Sequence, residues 1–345
     1  MPLRSPARRA LTSAGAAVTV VATAATLAAC SPAADGVPTA TSTASDGTVR
    51  LQVLASFYPL QFVAQRVGGD HAEVANLTPP AAEPHDLELS PAQVRAVGDA
   101  DLVVYLRGFQ AAVDDAVDAR DATAVDAGEV ADLERHPNGA DADELETDDR
   151  STSAEHEEGH EPAGAEGEDE HAHGLDDPHF WLDPTRLAAV VPAVEERLAE
   201  IDPEHATDYA ANATALEKDL EGLDADYTKG LEPCRGAALV TSHEAFGYLA
   251  EHYDLDQIGI AGIDPENEPS PARLRDIRDV VEREHVTTIY TETLSSPKVT
   301  ETFADDVGVA TAPLDPIEGL ADPDSDYLGI MRSNLTELTD GLTCS

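Results

Sequence analysis

The chain has 345 residues, room for two domains of ordinary size. Its formal net charge is -47, from 68 acidic side chains against 21 Lys and Arg, which excludes nucleic acid as a partner because the phosphate backbone would be repelled. Only three lysines occur, and so acidic a surface serves solvation and concentrates cations around the protein.

At the N-terminus, Arg4, Arg8 and Arg9 precede an apolar, alanine-rich run ending in Leu27-Ala28-Ala29-Cys30. A charged start, a short apolar run and small residues at its end predict a secretory signal over residues 1–29. The Leu-Ala-Ala-Cys sequence resembles the bacterial lipoprotein box, which implies cleavage before Cys30, lipid on its thiol and an extracytoplasmic protein anchored to the cell membrane. The paired Arg8 and Arg9 leave the export route open. With Cys30 lipidated, Cys234 and Cys344 remain as a pair in an oxidising compartment and are expected to form a disulfide. Residues 30–47, rich in Ser, Thr, Ala, Pro and Gly, read as a flexible tether.

Order is expected from residue 48. Val49, Leu51 and Val53 alternate with polar residues as in a strand, and a short helix from Pro59 stops at Gly68-Gly69. A second strand, Ala72 to Leu77, runs into the loop Glu83-Pro84-His85-Asp86, after which Ser90-Pro91 caps and starts a helix. Strand Leu102 to Leu106, helix Gln110 to Ala119 and strand Ala122 to Ala127 complete a βαβα alternation, the signature of a parallel sheet flanked by helices. Residues 132–177 break the pattern. They hold eighteen acids against two arginines, together with His136, His156, His160, His171 and His173, and carry no apolar periodicity. That composition predicts a mobile, metal-scavenging loop inside an N-terminal lobe spanning 48–185.

Beyond it, Asp183-Pro184 starts a helix to about Ile201 and Asp202-Pro203 another to about Lys229. In the second, Tyr209, Ala213, Leu216, Leu220, Leu223 and Tyr227 recur at three and four, so a linker helix of about 203–230 within the helical region 186–232 is expected to join two lobes. Alternation resumes over 233–345. Strand Ala237 to Thr241, helix Glu244 to Tyr253, strand Leu255 to Ile260 and helix Pro271 to Glu284 come first; strand Val286 to Thr291, helix Pro297 to Gly308, strand Val309 to Ala312 and a last helix from Tyr327 follow. The fold class is therefore α/β, with two lobes that each carry a parallel four-stranded sheet.

Three histidines stand in loops where ligands collect in such folds, beyond the carboxyl ends of strands. His85 follows the second strand, His243 follows Ala-Leu-Val-Thr-Ser, and His179 lies in the turn Asp177-Pro178-His179-Phe180-Trp181. Glu292, directly after strand Val286 to Thr291, is a fourth candidate by the same rule. Pro84 and Pro178 stiffen two of the approaches, as a preformed metal site requires. His71, His205, His252 and His285 fall on helix faces or beside turns and read as surface residues. His156-Glu157-Glu158-Gly159-His160 matches the pattern of zinc proteases but lies in the acidic tract, with a glycine inside and no apolar face for a helix to bury.

Glu83-Pro-His85-Asp-Leu-Glu-Leu-Ser-Pro91, Asp177-Pro-His179-Phe-Trp-Leu-Asp-Pro184, Thr241-Ser-His243-Glu-Ala-Phe-Gly-Tyr248 and Tyr290-Thr-Glu292 resemble, in order and spacing, the metal-binding solute-binding proteins of ABC transporters, most closely the zinc-uptake, ZnuA-like branch. The resemblance covers about 48–345. It implies two α/β lobes joined by a long helix, a metal held between them, and delivery to a membrane permease by a monomer that catalyses nothing. It makes His85, His179 and His243 ligands and leaves the fourth position to Glu292 or a water. Manganese-type relatives offer two histidines and two carboxylates, whereas three imidazoles suit Zn2+, here the transported ligand. His156, His160, His171 and His173 are expected to be accessory. A manganese or iron receptor, a metal-dependent adhesin and a secreted metallohydrolase remain the alternatives.

Overall fold

The computed structural model describes residues 50–80, 82–134, 177–292 and 297–344. Cys30 and the loop histidines His136, His156, His160, His171 and His173 lie outside the described residues. Among the described residues, eight strands form two all-parallel sheets. The first, in the order β2-β1-β3-β4, uses β1 (Leu51–Ala55), β2 (Ala72–Asn76), β3 (Leu102–Tyr105) and β4 (Ala124–Asp126). The second, in the order β6-β5-β7-β8, uses β5 (Ala238–Thr241), β6 (Asp256–Gly259), β7 (Thr288–Thr291) and β8 (Ala310–Pro313). The α/β class and the pair of four-stranded sheets agree with the sequence.

Parallel strands need crossovers, and helices supply them. In the first half these are α1 (Tyr58–Gly68), α2 (Pro91–Asp99) and α3 (Ala111–Arg120). In the second they are α6 (Gly247–His252), α7 (Pro271–Arg283) and α8 (Lys298–Val307), with α9 (Tyr327–Gly341) closing the chain. Ser90 and Ser270 cap α2 and α7, each accepting the N–H three residues on, with proline next in line.

Both sheets are buried on two faces. Leu54, Val103 and Tyr105 point outward to Val97 of α2 and Val113, Ala116 and Val117 of α3. Val240 and Ile289 point to Ile277 and Val281 of α7 and Phe303 and Ala304 of α8. The opposite faces, Val53, Ala55, Leu102 and Val104 in one sheet and Leu239 and Tyr290 in the other, belong to one continuous core. That core is filled by α1, α9 and two central helices, α4 (Pro184–Ile201) and α5 (Ala206–Leu231).

Helix α5 buries Tyr209, Ala213, Leu216, Leu220, Leu223, Tyr227 and Leu231 along one stripe. Near its start the Asn212 amide donates to Val67 O of α1 (3.0 Å), and near its end the Tyr227 hydroxyl donates to Met331 O of α9 (2.7 Å). It therefore ties both halves together. It begins at Ala206, not at Asp202-Pro203 as its proline suggested. The Asp202 carboxylate is taken by His205 Nδ1 (2.6 Å) and the Tyr209 hydroxyl (2.9 Å), which bends the chain between α4 and α5. The Cys234–Cys344 disulfide joins the residues after α5 to the C-terminus.

Candidate metal centre

His85, His179, His243 and Glu318 each offer one ligand atom, and the four atoms all lie within 4.8 Å of one another. Three are at strand ends: His85 follows β2, His243 follows β5, and Glu318 follows β8. His179 enters from the turn that opens α4, so both sheets contribute to the centre.

Each imidazole presents Nε2 inward. His179 Nε2 and His243 Nε2 are 3.3 Å from Glu318 Oε1, and His85 Nε2 is 3.5 Å away. None of these contacts has hydrogen-bond alignment, and among the described residues none of the four atoms has a hydrogen-bond partner. His179, His243 and Glu318 are buried. Four buried polar atoms left unpaired and aimed at one point would be costly without a cation between them.

Behind two of the rings stand carboxylates that set the tautomer. His179 Nδ1 donates to Asp177 Oδ1 (2.7 Å), and the same oxygen accepts the His179 backbone N–H (2.9 Å). His243 Nδ1 donates to Glu292 Oε1, which also accepts the His243 N–H (3.1 Å) and the Ser242 hydroxyl. With the proton held on Nδ1, the Nε2 lone pair is free to ligate, the arrangement that carboxylate–histidine–metal groups use.

Glu292 therefore sits behind His243 and does not face the centre, and the inward carboxylate is Glu318. Both follow strands of the second sheet, so the rule that suggested Glu292 applied equally to the loop Leu314-Asp315-Pro316-Ile317-Glu318. What aims Glu318 is the packing of that loop. Asn334 of α9 donates to Asp315 O (2.7 Å) and accepts the Asp315 N–H (3.0 Å), while Trp181 Nε1 donates to Pro316 O (2.8 Å). Ile317, at φ 57°, then takes the left-handed conformation that β-branched residues avoid. Strain of this kind, on the order of 1–3 kcal/mol, gathers where a side chain must be aimed.

The His243 turn departs from expectation in another way. Residues Ser242–Phe246 are not helical, and α6 starts only at Gly247. The turn instead extends the sheet ladder: Ala261 N–H donates to Ser242 O (2.8 Å) and Glu244 N–H to Gly262 O (3.0 Å). Gly259 permits this approach, since a Cβ there would fall 2.5 Å from Ala261 O and 2.9 Å from Glu244 N. Arg273 of α7 then clamps the turn through Glu244 (2.9 Å) and Gly259 O (2.7 Å).

Electrostatics follow the same plan. Burial pulls the His179 and His243 imidazoles down, but Asp177, Glu292 and Glu318 outweigh it and hold both above the usual range, His243 well above. Burial likewise opposes the charge on Glu318, yet the three histidines keep it well below the ordinary carboxylate range. Burial, and behind it the Glu318 charge, push the Glu83 carboxyl up to about 8. Glu83 Oε1 accepts the His85 N–H (3.0 Å) and lies 3.9 Å from His85 Nε2.

Two parallel-sheet lobes on a shared core, with three imidazoles and a carboxylate converging between their strand ends, define a solute-binding protein with a metal-ion pocket. The family model described as zinc-uptake complex component A, periplasmic (ZnuA), matches residues 53–341, and the chain belongs to that family. It is 34% identical over 297 residues to the zinc-binding protein AdcA of Streptococcus pyogenes, covering 84% of this chain but 55% of that protein, so it spans about half the length of that relative. It is 31% identical to the high-affinity zinc uptake system protein ZnuA of Bacillus subtilis, covering 85% of this chain and 88% of the relative. The zinc-bound structure of an AdcAII variant from Streptococcus pneumoniae superposes with a TM-score of 0.70 at 30% identity, covering 85% of this chain and 99% of that one.

Proposed function

We propose that the protein captures Zn2+ between its lobes and hands it to a membrane ABC importer, acting as a receptor and catalysing nothing. The observation that carries this reading is the cage of three unpaired Nε2 atoms and Glu318 Oε1 within 4.8 Å of one another. His85, His179, His243 and Glu318 are the proposed ligands, and Asp177 and Glu292 orient two of the rings. Three neutral nitrogens and one carboxylate in a four-coordinate cage suit zinc over manganese, which prefers more oxygen. The names of the relatives and the zinc-bound neighbour support the same metal. Lipid on Cys30 would hold the receptor, a monomer, beside its permease at the outer face of the membrane. His156, His160, His171 and His173 are assigned an accessory role, weaker than the cage and dispensable for it.

The test is a competition titration of the metal-stripped protein against a chromophoric zinc chelator, run beside His243→Ala. One tight site that collapses in the variant is expected. Several weak sites indifferent to His243→Ala would make the acidic tract the true ligand and remove the receptor reading. Manganese competing on equal terms with zinc would move the assignment to the manganese branch.

A further inference from the structure

The three histidines are not held alike. His179 and His243 have Nδ1 fixed by Asp177 and Glu292, whereas among the described residues nothing hydrogen-bonds to His85 Nδ1. His85 is also the least buried of the four groups in the cage. Something other than a carboxylate must aim it.

Two consecutive residues at the start of α3 meet this need. Phe109 packs edge-on against the His85 ring, with centroids 4.7 Å apart. Gln110, buried, turns its amide to the backbone of the same loop: Nε2 donates to Pro84 O (3.0 Å), the carbonyl directly before His85, and to Thr78 Oγ1 (3.0 Å) at the loop's other end. Thr78 in turn donates to Ser56 O (2.7 Å), anchoring the loop to the end of β1.

Gln110 is also the N-cap residue of α3, and its side chain makes no capping bond to its own helix. A serine, aspartate or asparagine there would cap α3 and stabilise it. Its Oε1, moreover, is buried and among the described residues has no hydrogen-bond partner. A residue that leaves its helix uncapped and one of its own atoms unsatisfied, while clamping the segment that carries a ligand, is placed for the site and not for the fold.

Resting on the zinc-receptor reading, we infer that Gln110 is a positioning residue for His85, doing through the Pro84 carbonyl what Asp177 and Glu292 do through Nδ1. Gln110→Met keeps the length and burial of the side chain and removes both donors. Zinc affinity is measured by chelator competition on the metal-stripped protein for Gln110→Met, His85→Ala and the double variant, with a thermal melt of each metal-free protein. Gln110→Met is expected to weaken zinc about tenfold, the lower range for loss of a ligand-orienting group. Its melting temperature should hold, and the double variant should bind no more weakly than His85→Ala alone. The inference is overturned by an equal loss in both backgrounds, or by unchanged zinc affinity in Gln110→Met whatever its melting temperature. Unchanged zinc binding in His85→Ala would remove both the inference and His85 as a ligand, so the two failures are told apart.

Discussion

Glu292 holds His243 from behind: one carboxylate oxygen takes the ring's Nδ1 and, at 3.1 Å, its backbone N–H, while the opposite nitrogen lies 3.3 Å from Glu318. The two glutamates thus flank one imidazole on its two sides, Glu292 bonded to it and Glu318 facing it across the centre, and have different roles.

Glu318→Gln removes the charged donor of the cage and is expected to weaken zinc by more than a hundredfold. Glu292→Gln keeps an acceptor for Nδ1 and should cost between ten- and a hundredfold, the usual range for an outer partner, roughly, with one site per chain retained. Chelator competition on the two variants orders them. If Glu292→Gln were the more damaging, Glu292 would have to be the ligand and Glu318 its support.

Protons and zinc compete for the same nitrogens. In the metal-free protein the raised His179 and His243 imidazoles contribute stability that is complete below their ordinary value of 6.5 and lost as pH rises through their folded values. The lowered Glu318 and Glu292 contribute stability present above 4.5 and lost as pH falls through theirs. Zinc needs the imidazoles unprotonated, so its binding releases protons and its affinity falls toward acid. The zinc-induced rise in melting temperature is therefore expected to be larger at pH 8 than at pH 6, with proton release detectable in weak buffer. A rise independent of pH would contradict the protonated metal-free site.

Trp181 is the single tryptophan of the chain, and its ring centroid is 5.1 Å from that of His179. Replacing a proton on His179 by zinc removes an imidazolium, a quencher of indole emission, from its side. Tryptophan fluorescence should rise with zinc and level off at one equivalent, and His179→Ala should abolish the response. A response that survives in His179→Ala would place the binding event elsewhere.

The Cys234–Cys344 bridge closes a loop across a sequence separation of 110 residues. Chain entropy assigns such a cross-link roughly 4 to 5 kcal/mol. Cys344→Ser is expected to lower the denaturant midpoint accordingly and leave zinc affinity within about twofold, because additivity holds between distant sites. A large loss of zinc affinity would couple the C-terminus to the cage.

Much of this was legible in the chain because it rests on local rules. Alternation of strand and helix announces a parallel sheet, the three- and four-residue spacing from Tyr209 to Tyr227 announces a long buried helix, and histidines placed just past strands announce a site. The helices that Asp202-Pro203 and Glu244 suggest start instead at Ala206 and Gly247, because side-chain and ladder hydrogen bonds displace the first turns, through Asp202 in one case and through the Ser242–Gly262 loops in the other.

By itself, then, the sequence determined the α/β class, the two sheets and the three histidine loops, each of which depends on neighbours a few residues away. Only the tertiary structure decided which glutamate faces inward and what aims His85. Glu292 and Glu318 carry the same chemistry at equivalent strand ends, and their roles are separated by which nitrogen of His243 each reaches. That is set by Trp181, 135 residues from Pro316 in sequence, and by Asn334 across the loop, just as Gln110 acts on Pro84 from 26 residues away. Periodicity carries no record of contacts at such separations, because they come into being only when each sheet packs with its helices and the lobes meet on their common core.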